Sequence, residues 1–581
     1  MPDATYDAVI IGGGTKGLFL AMYLLKYAGM SVGVFERRHE IGGCLATEEI
    51  SAPGFRGNTH ANIILPWYYA PLYRDFPQFW DYGAQVDQYL VSDGAVFANN
   101  ETCLAIYSEK HDPTQERTAR EIARFSERDA EKWLKIWEIG QDENLQRMSA
   151  ASMFQPLEFQ AAAATQTQAA PDAAAMARFQ KLSDAGLIPD PLVSVASPLR
   201  AAKETWESEE LQYCLVRFVL SGARDVDEPG GGGMTGLMGG TLPTLGFARG
   251  GTHQIAHAAH QVLVQLGCKF FTHAEVEKVI IENGEAKGIR LTDGTEIGAR
   301  KLVVSAGPSP AQVCFDFIGR EHIDAKLTRR VELLETAMGC LMWYSFALHE
   351  APKYKAEAFN PDIHETFWLG LAEDASPEHI ARQIRYQKLG LFPPLEDYSS
   401  VVWCHSLIDP SFAPPGKHVA MNEQLAPAAR LHTEREWLEI KKWYTEQLLK
   451  VWQKHAPNMT WDNIIGVDTN SPYDNLRMKN LAPDGCMAGL DRPPYQSGAN
   501  RPTPELANYR TPVKNLYATG GCWYPGLNAG SIESYNCYKI IAKDFGLGKP
   551  WEEQGKEEPD SLAQEIRNMK KRMRQQFGKA E

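Results

Sequence analysis

The run Gly12-Gly13-Gly14-Thr15-Lys16-Gly17 holds the residue types and spacing of an anion cradle, GxGxxG. Gly12 permits a tight turn after a strand. Gly14 lets a ligand's pyrophosphate approach the backbone, and Gly17 lets a helix pack closely on that strand. Free N–H groups at the helix start then face the phosphates. Glu36 follows 19 residues after Gly17, where a carboxylate suits two ribose hydroxyls and repels a 2′-phosphate. His60 is the candidate acid or base. Trp67, Tyr68, Tyr69, Trp523 and Tyr524 are candidate aromatic walls, with Trp523 and Tyr524 placed beside His60 at the reacting centre. His253, His257 and His260 share a helix face, but no cysteine or carboxylate partners them, so no metal is expected. GxSxG and HExxH motifs are absent from the sequence.

These residues need a βαβ frame. Tyr6–Ile11 and Ser31–Phe35 read as buried strands flanking a helix over Gly17–Tyr27. Glu116–Met148 reads as one long charged helix, and Phe154–Ala185 as an Ala- and Gln-rich helical or mobile stretch. Trp206–Leu220 reads as a further helix, and Glu228–Gly240 as a glycine-rich loop that is either a hinge over a pocket or a solvent loop. A helix over Thr252–Leu266 precedes strands at Lys269–Phe271, Val276–Glu282 and Ala286–Leu291, an Asp293-Gly294 hairpin turn, and a strand at Lys301–Ser305. Asn515–Thr519 is a last strand, before a helix from Ser531 to Phe545. The tail Asp560–Phe577 reads as an amphipathic helix. Ser561 and Gln564 form its capping box, and Leu562, Ile566, Met569, Met573 and Phe577 form its stripe. That stripe packs on its own chain, on a second copy, or on an anionic membrane surface.

The 581 residues carry a net charge of −14. This opposes non-specific nucleic-acid binding. The ten cysteines form no CxxC pair, which fits a reducing, cytoplasmic setting and argues against a disulfide framework. The N-terminus lacks the basic and apolar regions of a signal peptide. No run reaches the ~18 apolar residues that span a bilayer.

Beyond the glycine motif, VFERRHEIGGCLATEE from Val34 resembles the extended dinucleotide signature of the amine-oxidase and phytoene-desaturase flavoproteins. In that group a Gly-Gly pair, here Gly42-Gly43, turns under the FAD pyrophosphate. APGFRGNTH (Ala52–His60) resembles the segment leading into the flavin pocket. Ala248–Gly267 resembles the PxGGMxxLxxAL helix, and His273–Pro308 the three-stranded meander, with Val276 at the adenine. RTPVKNLYATGGCWYPGLNAGSIESYN (Arg510–Asn536) resembles the C-terminal FAD motif. There the resemblance puts Gly521 beside the flavin and the helix opened by Gly530, Ser531 and Ile532 at its N1–C2=O edge. The chain is most similar to the phytoene dehydrogenase-related branch named pyridine nucleotide-disulfide oxidoreductase domain-containing protein. Thiol–disulfide chemistry is not expected, because only Cys44 follows the Gly-Gly pair. Thr15-Lys16 and Cys522-Trp523-Tyr524 depart from the group's usual residues.

The resemblance implies an α/β fold: a discontinuous Rossmann-like FAD-binding domain (residues 1–60, 245–330 and 500–548) with an inserted α+β substrate domain (61–244 and 331–499). A charged C-terminal helix occupies 549–581. FAD is expected to bind non-covalently through Gly12, Gly14, Thr15, Lys16, Gly17, Glu36, Arg37, Gly42, Gly43, Val276, Gly521, Gly530, Ser531 and Ile532. The expected activity is desaturation or reduction of a C–C bond, or oxidation of a C–N bond, in a small or medium organic molecule. The electron acceptor would be oxygen, a quinone or a protein carrier, since no second GxGxxG of equal quality serves a nicotinamide. The alternatives are a redox-neutral flavin-dependent isomerase or hydratase acting on an alkene, and a non-enzymatic flavin scaffold.

Overall fold

The computed structural model describes residues 2–167, 173–185, 187, 193, 195–233, 239–526, 529–552 and 558–576. Two seven-stranded sheets organise the chain. In the first, Ala4–Ile11 lies between Val32–Phe35 and Glu296–Ala306 and pairs with both in parallel. Lys269–Phe271 extends one side in parallel, and Leu516–Thr519 pairs in parallel with the end of Glu296–Ala306. Val276–Glu282 and Glu285–Leu291 complete an antiparallel meander. The apolar run AVII of the first strand is fully buried, as a parallel strand covered on both faces requires. Helices Thr15–Lys26, His253–Gln265 and Ile532–Phe545 contribute to the core around this sheet.

The second sheet runs in the order Ile464–Asn470, Leu341–Leu348, His418–Leu425, Ser400–Trp403, Thr366–Ala372, Val91–Phe97, Thr102–Tyr107. Its pairs are antiparallel except Thr366–Ala372 with Val91–Phe97. Met342, Tyr344 and Phe346 share a core with Trp437, Tyr444 and Trp452 of the long helix Glu434–His455. Trp343, Trp368 and Trp403 share a separate core with helix Glu209–Ser221. The fold is therefore the expected α/β architecture, a Rossmann-like sheet joined to a second, mixed sheet.

Several elements differ from the sequence reading. Glu116–Met148 is not one helix: helices Glu116–Ala123, Glu127–Gly140 and Glu143–Met153 follow one another. Ser126 and Asp142 restart the chain as N-caps, accepting bonds from the Asp129 and Leu145 amides. The tail helix begins at Glu558, so Ser561 lies inside it and its hydroxyl donates to the Glu558 carbonyl. The expected Ser561–Gln564 capping box does not exist. Leu562, Met569 and Met573 are buried against the first core, while Phe577 lies outside the described residues. Part of the Glu228–Gly240 loop, residues 234–238, also lies outside them. Among the described residues no helix is long and apolar enough to cross a membrane.

Candidate functional site

The glycine loop is shaped by contacts that only glycine tolerates. Gly12 has φ of +101°, and a Cβ there would lie 2.5 Å from the Ala306 carbonyl oxygen. A Cβ on Gly17 would lie 2.2 Å from the Gly12 oxygen, so helix Thr15–Lys26 could not approach its strand. Gly14 differs: its nearest neighbour would be the Gly43 Cα at 3.7 Å, which leaves space for a ligand. Gly42 and Gly43 both have positive φ, and the Gly42 amide donates to the Gly13 carbonyl at 2.9 Å. This seats the Gly-Gly pair on the loop. Helix Thr15–Lys26 has no side-chain cap and no acidic residue in its first turn, so its positive end is free for an anion.

Glu36 ends its strand beside this loop. Its carboxylate accepts from the Gly13 amide at 2.8 Å and from the Arg38 amide at 2.9 Å. Arg37 and Arg38 donate to the carbonyls of Arg477 and Met478, each at 2.7 Å, which ties the strand end to helix Pro472–Lys479. Lys16 corrects the sequence reading of a cofactor ligand. Its buried ammonium bonds the Gly530 carbonyl at 2.6 Å and forms an ion pair with Glu533, joining the first helix to Ile532–Phe545. Ser531 directs both its hydroxyl and its amide to the Tyr68 carbonyl, at 2.7 and 3.0 Å. Ile532 is buried at the helix start, and the Gly521 carbonyl accepts from Arg501 at 2.9 Å.

A cavity of about 760 Å³ runs from this loop to the second sheet. Gly12, Gly14, Thr15, Glu36, Arg37, Gly43, Val276 and Gly521 line it at the Rossmann side, whereas Gly530, Ser531 and Ile532 position neighbours instead. Phe218, Val219, Trp343, Trp368, Glu423 and Met487 also line it. His60 faces the same space. Its Nδ1 lies 3.0 Å from the Thr59 hydroxyl, and its Nε2 has no hydrogen-bond partner among the described residues. Burial, then the charges of Lys479 and Arg38, hold its pKa well below the usual histidine range. The imidazole is therefore neutral.

Of the expected aromatic walls, Trp67 and Tyr68 line the cavity. Tyr69 turns away, its hydroxyl donating to the Ala529 carbonyl at 2.7 Å. Trp523 and Tyr524 are also corrections. Trp523 is fully buried in the first core, and the Tyr524 hydroxyl accepts from Gln160 at 2.8 Å, so neither lines the cavity. Cys522 does line it, with burial pushing its thiol up to about 11, so it is not a thiolate. On the three-histidine helix, His253 Nδ1 is 2.8 Å from the Leu45 carbonyl, and the His260 ring meets Phe270 edge-on. The described residues contain no cluster of metal-binding side chains.

The sequence reading missed the far wall and most of the charge. Arg38, Arg224, Lys479 and Arg492 line the cavity with Arg37 and favour an anionic ligand. The Lys479 ammonium is 3.6 Å from Glu48 and 4.0 Å from Glu40. No motif spacing marks these residues. The period-two pattern of LMWYSFAL could have put Trp343 on a sheet face, though not on the cavity.

A glycine-loop Rossmann sheet whose cavity is closed by a second mixed sheet defines a dinucleotide-binding α/β flavoprotein. Residues 10–82 match the NAD(P)-binding Rossmann-like domain family. The chain is 26% identical to a limonene dehydrogenase polypeptide of Castellaniella defragrans, over 94% of this chain and 96% of that protein. It is also 26% identical to pyridine nucleotide-disulfide oxidoreductase domain-containing protein 2 of Mus musculus, over 93% and 94% of the two chains. A putrescine oxidase variant shares the fold, with a TM-score of 0.55 at 13% identity, covering 93% of this chain and 99% of that one.

Proposed function

We propose that the chain binds FAD non-covalently in this cavity and is an FAD-dependent oxidoreductase. Its reaction would desaturate or reduce a C–C bond, or oxidise a C–N bond, of a small or medium organic molecule. The observation that carries this reading is the single cavity joining the glycine loop to an apolar, tryptophan-walled chamber. The printed activities of the relatives, limonene dehydrogenase and phytoene desaturase, favour the C–C reading.

The residues fit FAD. The open backbone at Gly14 and the uncapped helix start supply N–H donors for a pyrophosphate. The basic lining neutralises its charge. A carboxylate has about four acceptor sites. Glu36 uses two on the chain's own amides and keeps the others for ribose hydroxyls. When bound, FAD supplies two-electron redox chemistry that no side chain can perform. The protein's part is to orient and to exclude water. The Lys16–Glu533 pair fixes helix Ile532–Phe545 against the glycine loop, and Ser531 fixes Tyr68 in the cavity wall. Neutral His60 offers its Nε2 to a substrate group or a proton. The substrate would sit between the His60 segment and the loop after Cys522, whose Leu527 and Asn528 lie outside the described residues. Electrons would leave to oxygen, a quinone or a protein carrier.

The test is anaerobic mixing of the oxidised holoprotein with cyclic and acyclic alkenes, their saturated partners and matched amines while flavin absorbance is followed. Stoichiometric bleaching by one class supports the reading and identifies the bond. Repeated turnover by pre-reduced protein without any acceptor would overturn it in favour of a redox-neutral isomerase or hydratase.

A further inference from the structure

The second sheet places one carboxyl group in an otherwise apolar wall of the chamber. Glu423 lies directly opposite Trp343 on one neighbouring strand and Val401 on the other, so all three share a face. Val401 in turn opposes Gly370. The missing side chain at Gly370 admits Arg217 from the covering helix: a Cβ there would lie 3.1 Å from the Arg217 Nε. Trp368 and Trp403 stack nearby with centroids 5.5 Å apart.

Glu423 is 5% exposed and lines the cavity, yet no hydrogen bond to it is found among the described residues. The obvious structural role would be as a counter-ion for Arg217. The geometry argues against that role. Arg217 spends one nitrogen on Asp93, at 2.6 Å, and on the Gly94 carbonyl, at 3.2 Å. Its Nε and Nη1 are buried without hydrogen-bond partners among the described residues, and Glu423 does not reach them. The carboxyl group therefore faces the chamber rather than the guanidinium. A buried, unpartnered carboxyl is costly unless a ligand completes it.

We propose that Glu423 is the polar anchor of the substrate chamber, hydrogen-bonding the single acceptor oxygen of an otherwise apolar, uncharged substrate. This deepens the reading that the tryptophan-walled end of the cavity takes the substrate of a flavin enzyme. The tryptophan, phenylalanine and methionine lining recognises hydrocarbon, and a lone acid can satisfy one oxygen. Burial raises the Glu423 pKa to about 8, with Arg217 only partly opposing it, so at neutral pH the group is a donor. A cationic amine is disfavoured, because Arg224, Arg492, Lys479 and Arg38 also line the cavity.

The proposal is tested by calorimetric titration of the flavin-loaded protein at pH 7 with methylcyclohexane, cyclohexanone and cyclohexylamine. Flavin content is measured separately by acid release, so a failure to load FAD is distinguished from a failure of the anchor. Wild-type protein is expected to bind cyclohexanone about tenfold more tightly than methylcyclohexane, the effect of one buried hydrogen bond. Glu423→Gln should keep that preference, since its amide still donates. Glu423→Leu should abolish it with methylcyclohexane affinity unchanged, and Glu423→Asp, one methylene shorter, should lose most of it if the leucine variant fails to fold. The carbonyl stretch of bound cyclohexanone should shift down in wild type and Glu423→Gln alone. An unchanged preference in the leucine and aspartate variants, tightest binding by cyclohexylamine, or no binding of any probe would overturn the proposal.

Discussion

Glu36 shows how much one side chain can hold. Its carboxylate clasps two backbone amides at the mouth of the glycine loop and has acceptor sites left over. Charge-assisted hydrogen bonds are worth roughly 1.5–3 kcal/mol each. Glu36→Ala is therefore expected to weaken FAD binding by tenfold or more while the fold persists. A flavin dissociation constant equal to wild type, measured by fluorescence titration, would remove Glu36 from the site. This residue was readable because its role follows from sequence distance along a βαβ unit. Glu423, Trp343 and Trp368 were not, because strand register brings them together across more than fifty residues of intervening chain. Trp523 was misread because its loop aims it into the core, and no local pattern encodes that direction.

Buried histidines give the molecule an acid-sensitive fold. His405 accepts or donates at Tyr89, 2.6 Å away, and burial holds its pKa at about 3; burial does the same to His455, helped by Lys454 and Lys355. Between about 3 and the ordinary value of 6.5 the unfolded chain binds these protons and the folded chain does not. Stability therefore rises with pH across that window and falls as pH drops through it. Each such group contributes about 1.4 kcal/mol per pH unit once well below its unfolded pKa. Glu423 acts with the opposite sign: the folded chain holds its proton from 4.5 to about 8, so its contribution is lost as pH rises through that range. Denaturant melts from pH 4.5 to 7 should show a shallower slope in His405→Asn than in wild type. Parallel slopes would mean that His405 already titrates normally in the fold.

At the scale of elements, the sequence marked helix starts better than helix breaks. Ser126 and Asp142 are ordinary cap residues inside a charged stretch, and their capping bonds, not its charge periodicity, divide Glu116–Met153 into three helices. The tail helix illustrates the reverse error. S-x-x-Q has the spacing of a capping box, but the helix already starts at Glu558, whose carboxylate meets Tyr535 and the buried Lys539. Its apolar stripe was readable from spacing, and the stripe lies on this chain's own core. Burial of a leucine or methionine contributes about 1.5–3 kcal/mol. Truncation after Pro559 removes Leu562, Met569 and Met573 together and should lower the thermal midpoint markedly without changing the mass of the native particle. Unchanged stability with an altered oligomeric mass or altered liposome binding would instead assign the stripe to a partner surface.

At the scale of the whole molecule, function depends on two sheets sharing one cavity. The Rossmann half was legible because its constraints are local: a Cβ cannot fit at Gly12 or Gly17, and glycine is written openly in the sequence. The second half draws its strands from 91–107 and 341–470, with no motif among them, so its wall emerges only when the sheet is assembled. The central claim is that the shared cavity is a non-covalent FAD site. Acid precipitation of the purified protein, with mass analysis of the supernatant, tests it most directly. The expected result is a colourless pellet and FAD released at one molecule per chain. Flavin retained on the pellet would contradict non-covalent binding, and a protein that neither carries FAD nor takes it up on incubation would contradict the claim entirely.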